Sequence, residues 1–327
     1  MDDLTHIAEA NGGYLMRHQL NDLGYCDSAI RQAMRAGILL RVRHGTYVLK
    51  AVWSVLTPSQ RHAVTTRSIL DKLGPAVVAT HQSAAALHGF DLWDVHLDAV
   101  HVTRLDGRRG RREAGVVYHE GAIDPDTDIV MLDGRRVAEP RRAVFEACSL
   151  ATIESGMVLA SSALRMLDLP RAELEEDGRR FDHWPGTRTA RLSIRLSDPR
   201  LESVGEVRSL FMMWSHGVPH PELQWQVTTS GGVVVARVDF GWVEDRHTGE
   251  FDGLVKYGRL NPYSTDAGRV LTDEKIREDA VRAQSLGMSR WGWSDLGASR
   301  SAGTARRINE GREHSRRLYG RNRTTIV

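Results

Sequence analysis

The stretch Arg237-Val-Asp-Phe-Gly-Trp242, with Glu250-Phe-Asp-Gly-Leu-Val-Lys256 a short turn later, decides how the last third of this chain is interpreted. The β-branched run that leads into the first stretch predicts a strand, because such side chains favour a half-buried pleated surface. Residues 244–249 have the composition of a turn. The two stretches are therefore predicted to form a β-hairpin.

The predicted hairpin gathers Asp239, Glu250, Asp252 and Lys256 in one region. Carboxylates collected on a sheet repel one another unless a cation lies between them. A divalent ion held there would activate water for phosphodiester hydrolysis, so Mg²⁺ or Mn²⁺ bound by Asp239, Glu250 and Asp252 is one interpretation. The other is a solvated acidic surface. The strand register decides which face each carboxylate takes, because a slip of one residue reverses it.

These residues resemble the motif of the PD-(D/E)xK nuclease fold, in its very-short-patch-repair-like branch. The resemblance implies an acidic residue on a preceding helix, here predicted over residues 201–216, and a metal-dependent endonuclease activity. The family lysine would fall at position 252, which is an aspartate here, and the nearest lysine comes four residues later. Active cleavage and an inert nuclease-like domain both stay open. The candidate catalytic residues are Glu206, Asp239, Glu250, Asp252 and Lys256.

Length and composition set the broad class. A chain of 327 residues predicts two or three domains, and a hydrophobic content of 41% is sufficient for packed cores. Cys26 and Cys148 are the only cysteines, which excludes a disulfide framework and a CxxC metal motif. The N-terminus lacks the basic and apolar regions of a signal peptide, and no apolar run is long enough to span a bilayer. We therefore expect a cytoplasmic protein without a membrane partner.

Residues 1–50 are predicted to form a winged helix-turn-helix. Helices are expected over residues 4–10, 17–23 and 28–36, each followed by a glycine stop signal, and a hairpin over residues 38–49 would be the wing. A helix in the major groove reads base edges, while a wing meets phosphates or the minor groove. Double-stranded DNA is the expected partner, and a protein-binding module is the alternative. The candidate DNA-binding residues are Ser28, Arg31, Gln32, Arg35, Arg41, Arg43 and His44.

The segment Ile30-Arg-Gln-Ala-Met-Arg-Ala-Gly-Ile-Leu-Leu-Arg-Val-Arg-His-Gly-Thr-Tyr-Val48 resembles the N-terminal domain of AbiEi-type antitoxins, and the likeness continues in Ala79-Thr-His-Gln-Ser-Ala-Ala-Ala-Leu-His-Gly89. The resemblance implies a transcriptional regulator of a bacterial toxin–antitoxin or phage-defence system. It implies binding to the promoter of its own operon and a cognate toxin protein as a further partner.

Residues 51–190 are expected to form an AbiEi-like middle domain of mixed α/β structure. An arginine-rich loop at residues 104–112 is either a phosphate-contacting loop or an exposed hairpin tip. His81, His88, His96 and His101 suggest a metal site, but no carboxylate or cysteine joins them at ligand spacing. We therefore interpret them as core or capping histidines.

The expected fold class is α+β and multidomain: an N-terminal winged helix-turn-helix, a mixed α/β middle domain, and a restriction-endonuclease-like α/β domain over residues 191–297. Residues 179–198 are predicted to link the last two domains. Residues 298–327 form an arginine-rich tail, expected as a helix with a basic face or a partly disordered arm that holds nucleic acid nonspecifically.

Overall fold

The computed structural model describes residues 2–253 and 280–320. The chain divides into two compact units, Met1–Arg195 and Leu196–Val327, both of mixed α/β structure. The boundary between the units lies five residues from the one predicted at position 190. Residues 1–50 pack together with the middle segment in the first unit. Among the described residues, none of the helices has an apolar stretch long enough to cross a membrane.

The first fifty residues form three helices and a small antiparallel sheet. In chain order, the elements are α1 (Asp2–Asn11), β1 (Leu15–Met16), α2 (Arg17–Asp22), α3 (Asp27–Arg35), β2 (Leu39–Arg43) and β3 (Thr46–Leu49). The strand order is β1-β3-β2. α3 buries Ile30 and Ala33 against the small core that Leu20 and Leu39 also enter. Its amphipathic spacing therefore fixes which side of the helix faces outward.

The rest of the first unit is built on a six-stranded sheet with the order β6-β7-β5-β4-β9-β8. Its strands are β4 (Val77–Ala79), β5 (Val100–Arg104), β6 (Arg111–Glu113), β7 (Val116–His119), β8 (Ile129–Leu132) and β9 (Arg135–Ala138). The helices are α4 (Lys50–Val55), α5 (Pro58–Leu73), α6 (His81–His88), α7 (Pro140–Leu150), α8 (Ile153–Leu167), α9 (Arg171–Asp177) and α10 (Thr187–Leu196).

Two predicted features of this region come out differently. The strands on either side of the arginine-rich loop do not pair as a hairpin, because β5 and β7 are parallel and β6 pairs antiparallel with β7. The predicted linker is in part helix α10, which places Ala190 and Ile194 in the core. β8 and β9 form an antiparallel hairpin, with Asp133 and Gly134 both at positive φ in its turn.

The second unit has a four-stranded mixed sheet with the order β10-β11-β12-β13. Its elements are α11 (Val204–Ser215), β10 (Glu222–Thr228), β11 (Val234–Trp242), β12 (His247–Asp252), β13 (Gly287–Gly292) and α12 (Ser301–Tyr319). β10, β11 and β12 are successively antiparallel, whereas β12 and β13 are parallel. Gly205 lets α11 approach the sheet, since a Cβ there would lie 1.9 Å from the Phe251 ring.

The arginine-rich tail is not a disordered arm over Ser301–Tyr319. α12 buries Thr304, Ala305 and Ile308, so it is part of the core of the second unit. His247 of β12 fastens it further, with Nδ1 2.9 Å from the hydroxyl of Ser315. Removal of this helix would expose the apolar core of the second unit.

Candidate functional site

The outward side of α3 carries four polar side chains predicted to contact DNA. Ser28, Arg31, Gln32 and Arg35 are all exposed, while Ile30 and Ala33 are buried on the opposite side. Neither the Arg31 nor the Arg35 guanidinium has an ion-pair partner among the described residues. The i, i+1, i+4 spacing of the two arginines and Gln32 gives one continuous strip of hydrogen-bond donors.

The β2–β3 hairpin divides the three predicted wing residues into two groups. Arg41 and His44 are exposed. Arg43 instead donates a hydrogen bond from Nη2 to the main-chain carbonyl of Ala114, next to Gly115. This contact ties the hairpin to the turn before β7, so Arg43 has a structural partner inside the first unit.

The acidic residues of the predicted nuclease motif lie on two adjacent strands of the second unit. The last pair of the β11–β12 ladder is Phe240 with Gly249, and Asp239 and Glu250 are the next residues on the two strands. The Asp239 Oδ2 accepts a hydrogen bond from the Phe251 main-chain N–H at 2.9 Å.

Glu250 is buried and paired. Its Oε2 lies 2.9 Å from Nη2 of Arg290, its neighbour on the parallel strand β13. Asp252, two residues further along β12, is partly exposed. The carboxylates at 239, 250 and 252 offer the hard oxygen donors that Mg²⁺ and Mn²⁺ prefer. Within the described residues, however, their oxygens do not form a three-ligand group with all atoms within 4.8 Å. Lys256 lies outside the described residues.

Glu206 occupies the first turn of α11, and its carboxylate is fully engaged. Oε1 accepts from the Ser203 hydroxyl at 2.6 Å, and Oε2 accepts from the Glu202 main-chain N–H at 3.0 Å. Gln224 of β10 donates to the same Oε2 at 2.9 Å. Its neighbours Leu223 and Trp225 pair with Phe240 and Val238, the residues that flank Asp239 on β11. Glu206 is thus a helix-capping group that also connects α11 to the sheet.

The arginine-rich loop is largely paired within itself and its surroundings. Arg104 pairs with Asp106, Arg111 lies 3.0 Å from Glu113, and Arg112 lies 2.7 Å from Asp98. These exposed pairs reduce the positive charge that the loop offers to a phosphate backbone.

A cluster that the sequence interpretation dismissed appears in the first unit. His81, His101 and His119 each present a ring nitrogen, and these three atoms all lie within 4.8 Å of one another. They are the one such group of three among residues 2–253 and 280–320. His81 and His101 were among the histidines whose positions in the sequence suggest a metal site, whereas His119 was not. The parallel pairing of β5 and β7, which brings His101 and His119 to one face, was not predicted.

Comparisons with known proteins give little functional information. No protein-family model matches the chain. Two uncharacterized proteins of Mycobacterium tuberculosis, from strains CDC 1551 and H37Rv, are each 30% identical to it over 188 residues. The match covers 56% of this chain and 65% of each relative. Neither relative's name states an activity.

Proposed function

We propose that this protein is a sequence-specific DNA-binding protein that contacts its site through α3 and the β2–β3 hairpin. The observation that carries the proposal is the exposed strip of Arg31, Gln32 and Arg35 on a helix whose other side is fixed in a core. Three helices followed by a hairpin, with the third helix outward, is the order of elements in a winged helix-turn-helix.

The chemistry of the strip suits base readout. Arginine donates two hydrogen bonds to the major-groove edge of guanine, and glutamine pairs in a similar way with adenine. Arg41 and His44 on the hairpin would add contacts to the phosphate backbone, which position the protein without reading sequence. A purely protein-binding surface of this kind would be expected to include exposed aromatic anchors, whereas the exposed strip of α3 is polar and cationic.

The test begins by selecting DNA sites from a random double-stranded library with the wild-type protein. Arg31→Ala and Arg35→Ala should each weaken binding to the selected site by about 1–3 kcal/mol and relax its sequence preference. Arg41→Ala should weaken all sequences alike and lower the salt dependence. Arg200→Ala, an exposed arginine of the second unit, is the matched control and should bind as wild type does. Failure to enrich any site, or equal binding by all four variants, would contradict the proposal.

The resemblance to AbiEi-type antitoxins supports a more specific version, in which the protein acts in the cytoplasm as a transcriptional regulator with a toxin as partner. We propose that the selected site lies upstream of the gene for this chain. A reporter under that upstream region should be repressed by wild type and released by Arg31→Ala. Co-expression with the neighbouring reading frame, followed by purification, tests the toxin partner directly.

Metal-dependent DNA cleavage by the second unit is the second candidate. It is favoured by the placement of Asp239 and Glu250 on adjacent strands, just beyond the last residues that pair, with Glu206 hydrogen-bonded to Gln224 of the neighbouring strand β10. A plasmid incubated with the protein and Mg²⁺ or Mn²⁺ should be cut by wild type and left intact by Asp239→Asn. Cleavage that survives Asp239→Asn, or no cleavage with either ion, would remove this candidate without affecting the DNA-binding proposal.

A further inference from the structure

The histidine cluster of the first unit lies where two strands and two helices meet. His101 is on β5 and His119 ends β7, and their rings face each other with Nδ1 of His101 2.9 Å from Nε2 of His119. His81 begins α6, and its ring stacks on His119 with 3.9 Å between ring centroids. Glu146 of α7 lies beside His81, with Oε2 3.7 Å from Nδ1 of that ring. Three imidazoles from three separate elements therefore converge, and one of them also neighbours a carboxylate.

Two features of His81 are costly if the residue is only part of the core. Its Nδ1 is buried, yet it has no hydrogen-bond partner among the described residues, although a buried polar atom without a partner costs about 1–3 kcal/mol. Its φ is +52°, which is uncommon for a residue other than glycine, although histidine adopts it more readily than most. An unsatisfied ring nitrogen in an uncommon backbone conformation points to a function for His81.

The histidine ring nitrogens elsewhere in the protein show how a core histidine is satisfied. Nε2 of His62 lies 2.8 Å from the Ser83 hydroxyl and its Nδ1 lies 3.1 Å from the Leu97 carbonyl. His247 places both ring nitrogens within 2.9 Å of serine hydroxyls. His81 differs from both, because its nearest polar neighbours are two other imidazoles and a carboxylate.

We propose that His81, His101 and His119 bind a Zn²⁺ ion. Neutral imidazole is a preferred ligand of Zn²⁺, and three protein ligands with one open position are typical of zinc sites that hold water or substrate. The open position would face a cavity of about 380 Å³ lined by His81, His119, Thr103, Glu120 and Trp184. Glu146 accepts a hydrogen bond from the His81 main-chain N–H at 3.2 Å, so it helps to fix the position of His81 at the start of α6.

The experiment titrates Zn²⁺ into full-length protein stripped with a chelator, at neutral pH, with a competing chromophoric chelator to report affinity. Wild type should bind one equivalent tightly. His101→Gln and His119→Gln should each lose more affinity than the roughly 10–100-fold that changes outside the ligand shell cost. His96→Gln, an exposed histidine of the same unit that lies outside the cluster, should bind as wild type does.

Co²⁺ gives a second readout that does not depend on affinity alone. Co²⁺ in place of Zn²⁺ should give wild type and His96→Gln the intense visible absorption of a four-coordinate site with nitrogen ligands. Circular dichroism of each metal-free variant checks that it is folded, and thermal unfolding with and without Zn²⁺ should show stabilisation only where the three histidines are intact. Absence of an equivalent of tight binding in wild type would overturn the proposal. So would equal binding and identical Co²⁺ spectra in folded His101→Gln, His119→Gln and His96→Gln.

Discussion

Each of the two units places a buried glutamate beside an arginine, and the surroundings of the two pairs differ in an instructive way. Glu146 lies 2.7 Å from Nε of Arg142 and beside His81 of the histidine cluster, whereas Glu250 lies 2.9 Å from Nη2 of Arg290 and shares its strand with the carboxylate of Asp252. Neutral imidazoles can touch one another at no electrostatic cost, so their ligand atoms converge. Carboxylates repel, and in the second unit each is held by its own donor. Converging ligand atoms are therefore a sharper sign of a metal site than an acidic motif.

The largest expected effect separates the two arginines. Arg142 is almost completely buried and also pairs with Asp128 at 2.6 Å, so Arg142→Met should cost about 3–5 kcal/mol by leaving the buried Glu146 carboxylate without its cation and Asp128 with Arg180 as its remaining arginine. Arg290→Met should cost roughly 1–2 kcal/mol, because a third of the Arg290 side chain is exposed and solvent screens the pair. Urea unfolding, with hydrogen exchange to locate each loss, measures both. Equal losses would mean that the two pairs are energetically alike.

Acidification should distinguish the units next. The folded-state pKa values of His62 and His101 are lowered to about 4, mainly by burial, and that of His81 is lowered well below 6.5. As pH falls, such a histidine is protonated in the unfolded chain at a higher pH than in the folded chain. Its contribution to stability is therefore complete above pH 6.5 and is lost as pH falls towards 4. In the second unit, His247 shows the same shift to about 4.

Hydrogen exchange resolved by region should therefore show protection falling more steeply between pH 6.5 and 4 in the first unit than in the second. The expected reason is the larger number of buried histidines in the first unit. Exchange that accelerates equally in both units over this range would contradict the assignment of neutral, buried histidines to the cluster.

The smallest expected effect compares two single histidines. His247→Asn should cost about 1–3 kcal/mol, because the hydroxyls of Ser289 and Ser315 lose their partner. His81→Asn should change stability by less than about 1 kcal/mol in metal-free protein, because asparagine tolerates positive φ and relieves strain. Thermal unfolding of the two variants without metal gives the comparison. A loss at His81 as large as that at His247 would show that the His81 ring is needed for packing.

Much of the local structure could be predicted from the sequence. Glycine stops and amphipathic spacing locate the helices up to α3, and the Asp133-Gly134 turn locates a hairpin. Local signals of this kind depend only on residues close in the chain. The linker predicted over residues 179–198 failed because helix α10 is stabilised by packing of Ala190 and Ile194 into the core of the first unit, which composition does not reveal.

The histidine cluster could not be predicted for a related reason. His101 follows His81 by 20 residues and His119 follows His101 by 18, and neither separation matches a ligand spacing on one helix or strand. They meet only because β5 and β7 are parallel and α6 begins beside them. Glu206 illustrates the opposite case. Ser203 caps α11, and its hydroxyl donates to the Glu206 carboxylate, a local role that the resemblance to nucleases does not imply.

One contact has consequences for the thermodynamics of recognition. Arg135 of the β8–β9 hairpin reaches Asp71 of α5, the Tyr14 hydroxyl and the Asn11 carbonyl, and so joins the first fifty residues to the rest of the unit. Under the proposed function, this attachment would hold α3 in one orientation, so docking on DNA would cost little orientational entropy. The hydrogen bonds around Arg135 would thus preorganise the proposed DNA-binding surface. Their loss would slow productive encounters with DNA, although no residue proposed to contact DNA had changed.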